Sequence, residues 1–493
     1  MIYNFNLGIG WASSGVEYAQ VYRARMFRNI GVDAKFVFTD MFPSENIEHM
    51  TKNIGFLDSE VIWLYTFFTN FKTAPVTYTL SDLEKTFTDL NYTKTREGKI
   101  CRYVFGGSNN FYTAYMVNDH DDFVHRVELV SNGFLIRKDY FTYGRVYSEY
   151  YAPLDNKAHL YHRRFFNENG SVAYEEINDD NRVMYKFKDK ILCSKEEFVG
   201  YMVSQLNLTS DDIVIIDRAT DIGQSILMNC KPARVGIIVH ADHFSEKDTN
   251  EDYILWNNYY EYDFNMHKHI DFYVCATQAQ SYLLKAHFEK YYGVTPCVYT
   301  IPVGSLPELK YPKDGRKPFS LITASRLASE KHIDWICKAV IQAKSKYPEL
   351  CLDIYGVGAE RTKLETIIRD NNASDYIHLM GQHDLSEVYQ NYEAYIAGST
   401  SEGFGLTLME AVGGGLPIIG FDVRYGNPTF IRNGENGYLI DLPEEDKDRV
   451  EALRKGIVNL FKQDLEKCHS VSYEVAKDFL TCNVQEKWRE AVC

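Results

Sequence analysis

Glu402 and Glu410 stand eight residues apart in the run Ser401-Glu-Gly-Phe-Gly-Leu-Thr-Leu-Met-Glu410. Gly403 and Gly405 make a Gly-x-Gly turn between them, and helix-forming residues follow. The first amides of a helix lack intrahelical partners. The turn can therefore present the amides of Phe404, Gly405 and Leu406, with the Thr407 hydroxyl beside them, to a sugar and a phosphate. Glu402 is expected in the turn near a sugar ring, and Glu410 about one turn into the helix, within reach of ribose hydroxyls. The plain alternative is a helix start that favours acids, but the whole pattern is more specific than either glycine.

A second cluster is Ala324-Ser-Arg326-Leu-Ala-Ser-Glu-Lys331. It follows a strand pattern and precedes a helical one. A bidentate guanidinium and a point ammonium suit a pyrophosphate in a water-poor cleft and can take a divalent cation's place. Out of context, Arg326 and Lys331 read as two solvated charges; their place at a strand's carboxyl end favours the functional reading. A third cluster is the loop Gly8-Ile-Gly10-Trp-Ala-Ser-Ser-Gly15. The amides of Gly15, Val16, Glu17 and Tyr18 would open a helix there and stabilise a diphosphate. The spacing is not G-x-G-x-x-G, so it is no nicotinamide fingerprint, and sterics alone explain the glycines equally well. His240 ends the strand pattern Val235–Val239 and could donate to a sugar hydroxyl; taken alone it reads as a structural histidine. His243, His267 and His269 lack a ligand set of recognised spacing, so no metal is assigned.

These clusters need elements to hold them. Residues 1–75 show β-turn-α-β rhythm: Ile2–Leu7, a helix over Val16–Ile30, then strands at Phe36–Phe38 and Val61–Tyr65. Residues 76–200 change character. Short strand patterns alternate with Asn/Asp/Gly turns such as Asn132-Gly133 and Asn167–Gly170, which predicts an antiparallel meander. Tyr140, Tyr143, Tyr147, Tyr150 and Tyr151 crowd there with Phe134 and Phe141, more aromatics than one face of a strand pair buries. They suggest an interaction surface. The α/β rhythm resumes over 201–305. Pro307, Pro312 and Pro318 flank a charged stretch that reads as a linker. A second doubly wound domain occupies 306–493, its last helix a candidate for crossing back. The expected fold is α/β: two facing Rossmann-like domains with a β-meander inserted in the first. Open parallel sheets bind ligands beyond their carboxyl ends.

The 493 residues exceed what one core supports. Lys plus Arg is 53 and Asp plus Glu is 68, so the net charge is −15. That excludes a large basic field for nucleic acid. No apolar run approaches the roughly 18–20 residues of a membrane span. The N-terminus has no basic n-region, which predicts no signal peptide. Ten scattered cysteines without a C-x-x-C pair read as buried free thiols in a reducing cytoplasm. Arg23, Arg25 and Arg28 interleave with Met26, Phe27 and Ile30. That pattern fits contact with an anionic bilayer, or a core-facing helix with a charged outer side.

At Glu402-x7-Glu410, Arg326 and Lys331 the sequence resembles retaining glycosyltransferases of family 4, which have the GT-B fold. The run Asn6-Leu-Gly-Ile-Gly-Trp-Ala-Ser-Ser-Gly-Val-Glu-Tyr-Ala19, the segment Phe38-Thr-Asp-Met41 and the tyrosine-rich insertion resemble one branch over essentially the whole chain. That branch is the catalytic subunit of the bacterial protein O-glycosyltransferase acting on serine-rich repeat adhesins exported by an accessory Sec pathway. The resemblance implies a UDP-sugar donor, most often UDP-N-acetylglucosamine, and a Ser or Thr acceptor. It implies that Gly15–Tyr18, Arg326, Lys331, Gln382, His383, Glu402–Leu406 and Glu410 line the donor, and that His240 contacts the sugar. It further implies a homologous non-catalytic subunit as partner and allows peripheral membrane attachment; with Arg326 and Lys331 doing a cation's work, no metal cofactor is expected. Two rival readings are a non-catalytic scaffold of the same fold and a sugar-nucleotide epimerase or phosphorylase. The first should have lost Arg326, Lys331 or a glutamate; the second has no use for the meander.

Overall fold

The computed structural model describes residues 1–9, 15–43, 45–88, 91–106, 109–155, 157–179 and 182–493. The glycine-loop residues 10–14 lie outside these. The chain packs as two units: residues 1–24, 32–238 and 257–271, and residues 25–31, 239–256 and 272–493.

In the first unit five short parallel strands run in the spatial order Arg234–Val239, Ile213–Ile216, Ile2–Asn6, Ala34–Phe38 and Val61–Trp63. Apolar β-branched and aromatic residues fill them, and helix Gly15–Ile30 supplies the crossover from the first to the next. The strand expected over Val61–Tyr65 stops at Trp63, and Leu64–Phe67 turn into a short helix. Helix Gly15–Ile30 buries Met26 and Phe27. Arg23 is also buried, with its guanidinium on the Asp217 carboxylate. The core-facing reading of this helix therefore holds for these residues.

The insertion is a ten-stranded antiparallel sheet in strict sequence order, from Tyr92–Glu97 to Ile191–Leu192. Asn132 (φ 51°) and Gly133 (φ 84°) occupy the positive-φ positions of a two-residue hairpin turn, as their types require. This sheet packs on helices Leu64–Phe67 and Lys195–Gln205 of its own unit. Tyr65 stacks on Phe165 at 5.7 Å and Phe198 on Tyr185 at 4.1 Å. The Tyr174 hydroxyl donates to the Tyr65 carbonyl at 2.8 Å. Tyr140, Phe141 and Tyr147 are buried, so these three pack the sheet and offer no surface. Phe134 (52 % exposed) and Tyr143 (37 %) do face solvent, as does Tyr161 (43 %).

The second unit holds a six-stranded parallel sheet, in order Ile377–Gly381, Cys351–Tyr355, Ser320–Ala324, Ala394–Ile396, Ile418–Phe421 and Gly437–Ile440. Both faces are covered. Leu321 and Ile354 pack with Trp335, Val340 and Leu453, while their neighbours Ile322 and Tyr355 pack with Leu408, Val412 and Phe430. The proline-flanked stretch is not a free linker. The Arg316 guanidinium donates to the carbonyls of Gln390, Tyr392 and Gly414, which fastens it to this unit. The C-terminal helix Thr481–Val492 sets Trp488 edge-on to Phe27 at 5.3 Å. Not all the thiols are buried as expected: the structure buries six of the ten cysteines and leaves Cys193, Cys297, Cys482 and Cys493 exposed.

Candidate active site

Strand Ser320–Ala324 ends beneath a loop that carries Arg326, a short turn Ser329–Lys331 and helix Ile333–Ala343. His332 joins turn to helix at φ 45°, with its ring stacked on Trp335 at 3.6 Å between centroids. Gly398, after strand Ala394–Ile396, lets this joint sit close. A Cβ there would come within 2.8 Å of the His332 carbonyl oxygen and 3.0 Å of that of Lys331. Lys331 is thus held between two strand ends. Its ammonium donates to Glu402 Oε2 at 2.6 Å, and both side chains are about one-fifth exposed (19 % and 21 %). Arg326 differs: its side chain is 80 % exposed, and its nearest acid is Glu330 at 3.3 Å.

The Glu402 turn is pinned by its backbone. The Glu402 amide donates to the Arg424 carbonyl at 3.1 Å, and the Gly426 amide donates to the Glu402 carbonyl at 2.7 Å. Gly405 then takes φ 87°, which a side chain resists, and its carbonyl receives the Leu408 and Met409 amides as helix Leu406–Gly413 begins. Phe404 contributes through its backbone alone, because its ring is buried against Phe430 and Phe479. Tyr395 donates to the Ala324 carbonyl at 2.9 Å. Its one proton is then committed, so Thr407 Oγ1, 3.0 Å away, donates to it and keeps its lone pairs for a ligand. Glu410 accepts from the Tyr389 hydroxyl at 3.0 Å. Burial pushes the Glu410 carboxyl above the usual glutamate range, and the Asp384 charge adds to this against the Tyr389 hydrogen bond.

Between these loops lies a pocket of about 250 Å³ lined by Ser325, Arg326, Tyr355, Val357, Gln382, His383 and Thr407, among others. The sequence reading missed Ser325, Tyr355, Gly356 and Val357. Gly356 stands at φ 131°, where a Cβ would fall 1.9 Å from the Ser325 carbonyl oxygen. Its signal was available: Tyr355-Gly-Val-Gly358 follows a strand just as the Gly403 and Gly405 turn does. His383 Nε2 lies 2.9 Å from the Met380 carbonyl and donates to it.

His240 follows strand Arg234–Val239, half-buried. Its carbonyl oxygen lies 3.5 Å from where a Cβ on Gly403 would stand. His243 is fully buried, 3.0 Å from His287 through their ring nitrogens, and burial pushes it down to about 3. Gly15–Tyr18 open their helix in the first unit. Tyr18 is exposed, whereas Glu17 is buried with Arg218 at 3.8 Å, so its side chain serves the fold. The strand end before that helix is held by Asn6, whose amide donates to the Gly8 carbonyl and to Gln20 Oε1, both at 3.2 Å. Gln20 in turn donates to Asp217 at 2.8 Å.

Two parallel-sheet α/β layers, with cations and paired glutamates at a sheet's carboxyl edge, define a GT-B glycosyltransferase. Family models match accordingly: glycosyl transferases group 1 over residues 310–478 and the GtfA extended beta-sheet domain over residues 93–189. The chain is 51 % identical over 492 residues to the GtfA subunit of a UDP-N-acetylglucosamine–peptide N-acetylglucosaminyltransferase from Streptococcus agalactiae, covering 99 % of this chain and 97 % of that one. A crystal structure of a GtfA/B complex superposes with a TM-score of 0.96 at 51 % identity, over 100 % of this chain and 99 % of that one. The pneumococcal O-GlcNAc transferase GtfA in complex with UDP and GlcNAc gives 0.88 at 49 % identity, over 100 % and 98 %. The chain belongs to the GtfA subunit family of these peptide N-acetylglucosaminyltransferases.

Proposed function

We propose that this chain transfers N-acetylglucosamine from UDP-N-acetylglucosamine to serine and threonine hydroxyls of a polypeptide, with retention at the anomeric carbon. A homologous non-catalytic subunit is its partner, and a serine-rich repeat adhesin, modified in the cytoplasm before export, is its acceptor. The observation that carries the reading is the Lys331–Glu402 pair, set in the same loops whose Arg326 and Thr407 line a nucleoside-sized pocket. Relatives about half identical over their full length bear the matching names, one with UDP and GlcNAc bound and one in a complex of two subunits.

In this reading the nucleoside enters the pocket, and Glu410 accepts from the ribose. The amides at the start of helix Leu406–Gly413 face the diphosphate. Lys331 has three N–H donors and gives one to Glu402, which leaves two for phosphate oxygens. Arg326 folds in from solvent as the second cation. His240 and Glu402 hold the sugar. The acceptor hydroxyl oxygen attacks C1 on the face that the diphosphate leaves. The C1–O bond to phosphate breaks as the new C1–O bond forms, and the acceptor's proton passes to the departing phosphate oxygen, giving UDP. The catalytic task is to stabilise charge on that leaving group, the kind of contribution worth about 10²–10³ in rate per group. With two cations in place, the reaction needs no metal and proceeds in EDTA. The β-meander holds acceptor and partner.

The test is a mixture of this chain, its partner subunit and a Ser/Thr-rich polypeptide with equal UDP-N-acetylglucosamine and UDP-glucose, read by mass spectrometry and UDP release. N-acetylhexosamine on the polypeptide, with UDP release dependent on it, is expected. Release independent of the polypeptide, or hexose as the main adduct, overturns the assignment.

A further inference from the structure

Tyr355 forms one wall of the pocket, and its ring meets the His383 ring edge-on, with centroids 5.8 Å apart and planes at 88°. What fixes that wall lies behind it. The Tyr355 hydroxyl is 3.1 Å from the Tyr392 hydroxyl, and Tyr392 donates to Asp353 Oδ2 at 2.6 Å. Asp353 is two residues before Tyr355 on the same strand, hence on the same face. Its other oxygen lies 2.6 Å from Nδ1 of His378, its register partner on the adjacent strand. An ionised carboxylate only accepts, so Tyr392 must spend its one proton on Asp353. Tyr355 must then donate to Tyr392. The chain therefore has one direction, from the pocket wall to the carboxylate.

We propose that Asp353 and Tyr392, neither of which lines the pocket, are positioning residues for the nucleoside end of the donor. The inference rests on reading that pocket as the nucleoside site. Asp353 and Tyr392 are both 7 % exposed, so neither can trade its partner for water when the chain is cut. Removing the Tyr392 hydroxyl leaves Tyr355 without its acceptor and frees its ring to drift, and the His383 ring packed on it drifts with it. The loss then falls on the nucleoside, remote from the anomeric carbon.

The test uses Tyr392→Phe and Tyr355→Phe, each of which keeps its ring. UDP and uridine are expected to bind about three- to tenfold more weakly to both, as for the loss of one hydrogen bond. Competition by inorganic pyrophosphate should not change. The double variant should be no weaker than either single one, because both cut the same chain. Tyr392→Phe should keep its kcat at saturating donor within about twofold. Asp353→Asn still offers Tyr392 a carbonyl oxygen and should stay within about twofold of the native affinity. Unchanged UDP affinity in both Phe variants, additive losses, or a loss shared equally by pyrophosphate overturns the proposal. If Tyr392→Phe does not fold, Tyr355→Phe carries the test, since it removes only the hydroxyl at the pocket end. Val357→Trp separately tests the pocket. Should this filled pocket leave UDP binding intact, the nucleoside assignment fails whatever the tyrosines do.

Discussion

In the six-stranded sheet of the second unit, successive strand residues such as Leu321 and Ile322 are both buried, one in each hydrophobic layer. In the ten-stranded sheet of the first unit, the strands themselves carry the polar chemistry. Glu149 accepts from Tyr140 at 2.9 Å, from Tyr151 at 2.6 Å and from Arg163 at 3.0 Å across three strands. A parallel sheet covered on both faces leaves no room for function within its strands, so its chemistry moves to the loops at the carboxyl edge. An antiparallel sheet can spend one face on packing and the other on partners. The difference teaches where substitutions should separate rate from recognition in this molecule.

The sharpest separation is expected at Lys331. Lys331→Ala should lower kcat about 10²–10³-fold, the usual scale for one charge-stabilising group. Single-turnover transfer measures it, and a kcat within threefold of native would remove the catalytic loops from the comparison. Next in size is the exposed face of the meander. Phe134→Glu combined with Tyr161→Glu should weaken transfer to polypeptide, or assembly with the partner subunit, about tenfold or more, because desolvated aromatic anchors dominate such interfaces. UDP affinity by calorimetry should be untouched. Equal loss of both would make the meander part of the donor site. Deleting the meander outright is a poor test, since it would expose Tyr65 and Phe198, which it covers.

Glu410→Gln should raise the UDP dissociation constant about tenfold or more, the scale of one charged hydrogen bond. Burial already lifts the Glu410 carboxyl, so its charge is lost at a higher pH than that of an exposed glutamate. Native UDP affinity should therefore decline as pH falls through that raised value, and the Gln variant should lose this slope. Parallel titration curves for the two proteins would rule out Glu410 as the ribose acceptor. The smallest effect on activity is expected at Asp263 in the first unit. Its carboxylate is 1 % exposed, without a hydrogen-bond partner on either oxygen among the described residues, and burial pushes it up to about 7. The folded state holds this proton more tightly than the unfolded chain, whose aspartates titrate near 3.9. Stability from this group is therefore full below about pH 4 and falls as pH rises to about 7. Asp263→Asn should raise the melting temperature at pH 8 by several degrees and change it little at pH 4. No gain at pH 8 would mean that the carboxylate finds a partner.

The candidate site of the second unit was largely legible because its residues follow strand ends, one of them marked by a Gly-x-Gly turn. Glu402 and Glu410 were singled out around the Gly403 and Gly405 turn, and Arg326 and Lys331 by their place after a strand. Tyr355 and Val357 were missed because their side chains look like ordinary strand-end apolar residues; Gly356 between them held the signal. The meander was legible as an architecture through its Asn-Gly turns, but not face by face. Tyr140 and Tyr147 are buried while Tyr143 and Tyr161 are exposed. β-Bulges at Tyr140/Phe141 and Leu160/His162 shift the alternation that sequence reading depends on. The Pro-flanked stretch misled for another reason. Its charge looked solvated, yet the Arg316 guanidinium is consumed by three backbone carbonyls that no local pattern announces.

The strict strand order of the meander also bears on how the chain assembles. Each of its strands pairs with a neighbour in sequence, whereas Ile2 in the first strand pairs with Ile213. Closing a loop of about two hundred residues costs about 2–3 kcal/mol more than closing a ten-residue hairpin. Contacts that distant also form slowly. A meander that has already collapsed shortens the span that Ile2–Asn6 and Ile213–Ile216 must search. During synthesis the insertion would then act as a spacer that folds first and draws the two halves of the parallel sheet together. Pulse-labelled hydrogen exchange should find the amides of Val124–Ser131 and Arg145–Leu154 protected before those of Ile213–Ile216. Simultaneous protection would mean that the whole unit condenses at once.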